Sequence, residues 1–305
     1  MFFNINIFYS FLKFTGIKYI LYNTLYLSCY ILNIINLKVL RSIKFKLDKK
    51  KQYILYHSNN EKFILFTKDL EVSKNIYIND SFDLNKLFKV LKLIKKRKIQ
   101  NFYNIGANIG SICVPIIKRK FANKAHVVEM EPNNFRLLKL NIFLNKLEQK
   151  INTYNFAISN SDDKLIGIKY SKNNFGAHSV IERKSSKQKI YTKKFDTLFK
   201  NIPKNSLIWI DTEGHEEKVL NGATKNLKKK YPIVFEFWPK ALIKNNSYRK
   251  LKKYFFYYNF FYDLSEIKPE KVKINKKNVD LFFSKWKNKS NLNPNSTIFT
   301  DILLV

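Results

Sequence analysis

The feature that most limits how this chain can fold is the turn Asn104-Ile105-Gly106-Ala107-Asn108-Ile109-Gly110 and what stands on either side of it. The chain holds seven glycines in 305 residues, and two of them lie here, four apart, behind the apolar run that starts at 101. Residues 111–121 read as a helix, 125–131 as a strand ending in acid, and 132–145 as a second helix with Phe135, Leu138 and Ile142 on one face. Strand, glycine turn, helix, strand and acid make the first βαβ unit of a nucleotide-binding sheet. Glycine lets backbone approach a ligand without a Cβ in the way, and the helix N-terminus offers N–H groups the helix itself does not use. The unit therefore predicts a ligand cradle at Asn104, Gly106, Ala107, Asn108 and Gly110. It also predicts Glu131 as the acceptor of both ribose hydroxyls.

Downstream the alternation continues. A third strand is expected over 151–158, short strands over 165–170 and 190–195 around a polar loop at 171–179, and a compact strand over 206–210 ending at Asp211. A helix over 216–228, a strand over 233–238, a helix over 247–258 and two closing strands at 260–264 and 298–305 complete the pattern. Such a chain is α/β: a Rossmann-like, mostly parallel doubly wound sheet with an antiparallel closing strand. Upstream, 52–56 and 62–67 pattern as a hairpin, and 83–96 has apolar residues at helical spacing.

Three stretches follow: an apolar helical extension at 1–46, a preamble of hairpin and helix at 47–100, and the nucleotide-binding domain at 101–305. Residues 19–37 carry no charge, which just reaches the length of a membrane span, but Asn23, Thr24, Ser28, Asn33 and Asn36 interrupt the run. Docking on the domain, contact with a membrane surface and spanning are all open for residues 1–46. The basic flank that follows would keep the body of the chain on the cytoplasmic side.

The net charge of +34 suggests nucleic acid, yet only six of the 57 basic residues are arginine. Phosphate-reading surfaces favour the bidentate arginine fork. The lysines are spread along the chain, and they rise together with Asn, Ile, Phe and Tyr as A/T-rich codons would make them. Nucleic acid is therefore not expected as a partner. Cys29 and Cys113 sit far apart in apolar runs and the four histidines are scattered, so neither a disulfide framework nor a metal spacing is present. Acids are scarce, which makes their placement informative. Glu129, Glu131, Asp211, Glu213, Glu216, Glu217 and Glu236 all fall at or just past the ends of expected strands, where open α/β sheets bind ligands.

The second signature is Asp211-Thr212-Glu213-Gly214-His215-Glu216, followed by Val219-Leu220-Asn221-Gly222-Ala223. Taken with the glycine turn, Glu131-Pro132-Asn133, Gly176-Ala177-His178-Ser179 and residues 232–236, it resembles the FkbM-type S-adenosylmethionine-dependent methyltransferases over about 101–240. The resemblance implies S-adenosylmethionine as cofactor and transfer of its methyl group to an oxygen nucleophile. The implied acceptor is a small molecule or glycan carrying a hydroxyl, of sugar, polysaccharide or glycolipid type. Asp211, Glu213 and His215 are the candidate bases, and Asp211 also belongs to the cofactor side. By analogy with the fold, adenine is expected near Ala157 and Ile158. Two departures stand out: Asn104 replaces an aspartate common in the family, and the 176–179 loop has one serine where two are usual. Glu216 and Glu217 read better as first-turn helix acids than as catalysts. Carboxylates converge, but no ligand spacing demands a metal and none is assigned. Two rivals are a nicotinamide-dependent oxidoreductase and a non-catalytic membrane-associated binding module. The first would use Gly-x-Gly-x-x-Gly, where this chain has Gly106-x-x-x-Gly110.

Overall fold

The computed structural model describes residues 24–25, 27–28, 38–58, 60–95, 98–181, 188–292 and 297–305. Cys29 and nearly all of the uncharged stretch at 19–37 lie outside the described residues. Among the described ones no helix is long and apolar enough to cross a membrane.

The strands in chain order are β1 (Tyr53–His57), β2 (Lys62–Phe66), β3 (Ile99–Ile105), β4 (Ala122–Val128), β5 (Ile151–Tyr154), β6 (Ala157–Ser159) and β7 (Leu165–Lys169). They continue with β8 (Ser179–Ile181), β9 (Lys189–Lys194), β10 (Ser206–Ile210), β11 (Ile233–Phe237), β12 (Phe260–Asp263), β13 (Val272–Lys273) and β14 (Thr300–Leu304). Eight of them form one sheet in the order β13-β12-β14-β11-β10-β3-β4-β5. Neighbours from β5 through β4, β3 and β10 to β11 are parallel. β14 enters antiparallel between β11 and β12. This is the expected Rossmann-like sheet, with its antiparallel closing strand inserted beside β11.

Period-two alternation splits the sheet's side chains between two cores. Phe102 and Trp209 point into the core on one face, while Tyr103, Ile208 and Ile210 point into the other. Helices Leu84–Leu93, Cys113–Lys118 and Pro132–Leu144 cover the first face. Glu216–Asn221, Tyr248–Phe255 and Lys276–Leu292 cover the second. Phe45, Phe63 and Leu65 of the first hundred residues share the first core with Phe102. The hairpin β1–β2 is tied to the helix Pro132–Leu144 through Asn141, whose Oδ1 accepts the N–H of Ile64.

Several expectations need correction. The strand over 151–158 is two strands: Asn155 donates its side-chain amide to the carbonyls of Glu129 and Met130, and the chain turns there. β6 then leaves the main sheet for a smaller one, ordered β6-β9-β7-β8. The helix over 216–228 breaks into Glu216–Asn221 and Thr224–Leu227. At the break Gly222 presses on β6 so closely that a Cβ would lie 2.0 Å from the Ser159 carbonyl oxygen. The helix over 111–121 is only Cys113–Lys118. The helix Lys276–Leu292 was not anticipated, although Val279, Phe282, Phe283 and Trp286 follow helical spacing and are buried.

Candidate active site

A cleft of about 450 Å³ opens at the carboxyl ends of β3, β4, β10 and β11, within the size range of small-ligand sites. Its centre is the glycine turn. Gly106 has φ +85°, and a Cβ there would sit 1.7 Å from the carbonyl oxygen of Asp211. Only glycine lets the end of β3 pass so close to the end of β10. The N–H groups of the turn itself are used within the protein. Gly106 and Ala107 both donate to the Val128 carbonyl, and Gly110 donates to Ala107. Asn108 N–H donates to Glu129 Oε2 at 2.8 Å and Ile109 N–H to Asn108 Oδ1. The turn therefore presents close-packed backbone to a ligand, with its donors already committed. Asn104 is buried and lines the same wall.

The two acids after β4 have separate tasks. Glu131 precedes Pro132, which occupies the first position of the helix Pro132–Leu144, and caps that helix: its Oε2 accepts the Asn134 N–H at 2.7 Å. Its Oε1 accepts from Tyr170 and Asn133. Glu129 lines the cleft instead. Its Oε1 accepts the Glu131 N–H at 2.8 Å while Oε2 holds Asn108. Burial pushes the Glu129 carboxyl up to about 7, against the opposing pull of these backbone N–H groups.

Ala157 and Ile158 line the cleft beside Phe156, as expected of an apolar ring pocket. Across from them the 171–179 loop arrives, held by the Asn134 side-chain amide donating to Phe175. His178 borders the cleft and accepts the Ser171 N–H on Nδ1. Burial lowers its pKa, which favours the neutral ring.

Asp211, Glu213 and His215 all reach the other half of the cleft. The turn that carries them is braced by Glu216, whose Oε1 accepts the N–H groups of Thr212 and Gly214. Glu217 accepts from the Tyr254 hydroxyl at 3.1 Å. Both therefore hold structure, and neither lines the cleft. His215 Nε2 is 3.0 Å from Ser159 Oγ. Burial raises the Asp211 carboxyl to about 8, with Asp301 adding to the rise and Lys86 opposing it. Glu213 and Glu236 are raised well above the usual carboxylate range, by burial first, then by Asp211 and Glu216 for Glu213 and by Glu213 and Asp211 for Glu236. Lys86, missed from the sequence, and Trp238 complete this half. Lys86 bridges Asp83 at 3.0 Å and Asp301 at 2.6 Å. Trp238 lines the wall with an indole N–H that is buried and without a partner.

The profile of the methyltransferase FkbM domain matches residues 104–262, just over half the chain. No curated protein sequence matches it. Among solved structures, the methyltransferase FkbM from Methylobacillus flagellatus KT aligns at 10% identity and TM-score 0.36, covering 68% of this chain and 44% of that one. The chain thus spans less than half the length of that protein. The precorrin-6Y C5,15-methyltransferase from Geobacter metallireducens GS-15 aligns at 9% identity and TM-score 0.38, over 72% and 86% of the two chains. The RNA methyltransferase from Salinibacter ruber in complex with S-adenosyl-L-homocysteine aligns at 10% identity and TM-score 0.31, over 50% and 74%. With the glycine turn and the Asp211–Glu216 turn both inside the matched segment, this chain belongs to the FkbM family of S-adenosylmethionine-dependent methyltransferases.

Proposed function

We propose that the chain moves the methyl group of S-adenosylmethionine to a hydroxyl of a sugar, polysaccharide or glycolipid-type acceptor. The observation that carries this reading is the sign of the cleft. In a chain of net charge +34, the described lining holds seven carboxyl groups and one ammonium, that of Lys86. A sulfonium cation among these groups favours their ionisation and is stabilised by it, whereas a pyrophosphate would meet acids and a single lysine.

In this reading the nucleoside lies between Glu129, the glycine turn and the Ala157–Ile158 wall, with the methyl group facing Asp211 and Glu213. Transfer breaks the sulfur–methyl bond as the oxygen–carbon bond forms, so oxygen, carbon and sulfur must stand in line, a positioning effect worth ~7–11 kcal/mol. The hydroxyl proton passes to a neighbouring base, among Asp211, Glu213 and His215. Trp238 supplies a flat apolar face and an N–H donor suited to a sugar. Tyr248 is committed to the core, its hydroxyl donating to the Phe283 carbonyl at 2.6 Å. Thermal unfolding with S-adenosylmethionine, S-adenosylhomocysteine or NAD tests the cofactor. Stabilisation by NAD alone would sink the proposal.

The ribose role goes to Glu129, since it lines the cleft and Glu131, which caps the helix, does not. Glu129→Gln is expected to weaken S-adenosylhomocysteine binding ~10–100-fold, the range for a lost charge-assisted hydrogen bond. Glu131→Gln is expected to lower stability by ~1 kcal/mol through the cap and to change affinity far less. Calorimetric titration of both variants decides it, and the reverse pattern returns the role to Glu131.

A pH dependence follows. Two ribose hydroxyls donate to an ionised carboxylate, so binding must draw the proton from Glu129. Affinity for S-adenosylhomocysteine is expected to be level above about 7 and to fall below it, by up to about tenfold per pH unit. Folding of the empty protein runs oppositely. A carboxyl raised from 4.5 to about 7 favours the folded state while protonated; that contribution is present below 4.5 and lost as pH rises through 7. Titrations from pH 5.5 to 8.5 should show the affinity slope in the parent protein and not in Glu129→Gln.

A further inference from the structure

We propose that Asp211, Glu213 and Glu236 form a binding site for a divalent cation in the acceptor half of the cleft. One carboxylate oxygen from each lies within 4.8 Å of the other two, and this is the one such trio among the described residues. Acidic clusters often form without an ion, so the independent sign is Glu236. Its side chain lines the cleft and is 6% exposed, and its Oε2 is buried with no hydrogen-bond partner. A buried carboxylate oxygen with nothing to accept is costly, and an ion at the centre of the three oxygens removes that cost.

The distances suit a hard cation. Oxygen ligands stand ~2.3–2.6 Å from Ca²⁺ and ~2.0–2.1 Å from Mg²⁺, so opposed ligands are ~4–5 Å apart. The trio spans a calcium-sized ion as it stands and closes on Mg²⁺ or Mn²⁺ by drawing in about half an ångström. An all-oxygen donor set selects these ions over thiophilic ones. Three protein ligands leave positions for water or for an acceptor oxygen. The frame is rigid, because Asp211 and Glu236 extend from the parallel neighbours β10 and β11.

Lys86 does not serve in place of the ion. Its ammonium is held between Asp83 and Asp301, and Asp301 is the register partner of Glu236 across β11 and β14. That pairing commits the ammonium to the other side of the group, from which it acts on Asp211 without an ion pair to the trio. No spacing in the sequence marks this site, since its residues meet only through the strand order. Cation binding stands apart from the methyl-transfer reading; its use to orient an acceptor hydroxyl rests on that reading.

Mn²⁺ alone, titrated into the full chain, is the probe, followed by loss of the free-ion signal in electron paramagnetic resonance. One ion per chain is expected, with affinity reduced at least tenfold in both Glu236→Gln and Glu213→Gln. Glu213 stands nearer the surface, so its variant remains informative if the buried Glu236→Gln folds poorly, and a melting curve of each records this. Mn²⁺ that stays free at ~1 mM, the weak end of biological oxygen-ligand sites, overturns the proposal. Equal binding by the parent and both variants overturns it as well. Calorimetry of S-adenosylhomocysteine in EDTA keeps the two readings apart. Cofactor binding without Mn²⁺ binding removes the cation site alone, and the converse removes the cofactor reading alone.

Discussion

Gly106→Ala is expected to cost ~3–5 kcal/mol of stability and to abolish S-adenosylhomocysteine binding. Holding an L-residue in the left-handed region costs ~1–2 kcal/mol, and Gly106 sits there at φ +85°. The larger part is steric. The new methyl would fall 1.7 Å from the Asp211 carbonyl oxygen, and neither partner is a flexible side chain that can swing aside. β3 and β10 are adjacent parallel strands at the centre of the sheet, with Ile105 opposite Ile210. Relief therefore requires their ends to part, disturbing a core buried on both faces, and overpacking of that kind adds ~1–3 kcal/mol. Domains of ordinary stability hold only ~5–15 kcal/mol in total, so much of the variant would be close to unfolding. A thermal melt checks this directly, and an unchanged midpoint would contradict the close approach of the two strands.

Asp211→Asn is the second large effect, expected on rate more than on folding. Asparagine keeps the shape and leaves the strand ends undisturbed, but it removes the carboxylate beside the transferring methyl. A general base contributes ~10²–10⁴ in rate, and the loss should lie in that range. The change in S-adenosylhomocysteine affinity should be far smaller, because an interaction lost mainly in the transition state lowers turnover before it lowers ground-state binding. Transfer of labelled methyl from S-adenosylmethionine into an extract of the host cells, compared between parent and variant, measures it. An undiminished rate would move the reacting centre away from the 211–213 turn.

How much of this could be read from the sequence depends on how local each feature is. β10 was legible to the residue because Ser206-Leu207-Ile208-Trp209-Ile210 is a short apolar run bounded by polar residues and an acid. The hairpin at β1 and β2 was legible because its alternation is local. The helix cap at Glu131, on which the proposed ribose role of Glu129 rests, had a visible signal. Proline favours the first helical position, so the residue before Pro132 is the natural cap, which leaves the acid two residues earlier for the ligand. The break after β5 had none, since it rests on Asn155 meeting carbonyls more than twenty residues away. The long helix Lys276–Leu292 carried its stripe of Val279, Phe282, Phe283 and Trp286 in plain view, diluted by lysines and asparagines between them. The carboxylate group was half legible: Asp211 and Glu213 announce themselves, whereas Asp301 and Lys86 arrive through β14 and a helix far upstream.

The same arrangement has a consequence for how such a chain can diversify. Gly106, Glu129, Asp211 and Glu213 fall inside the 104–262 segment shared with the family, but part of the cleft wall does not. Phe82, Asp83 and Lys86 come from before that segment, and Phe299 and Asp301 from after it. The proposed donor pocket and this part of the cleft wall therefore belong to different portions of the gene. Mutations in the flanks can reshape that part of the wall while the residues proposed to hold the donor stay unchanged.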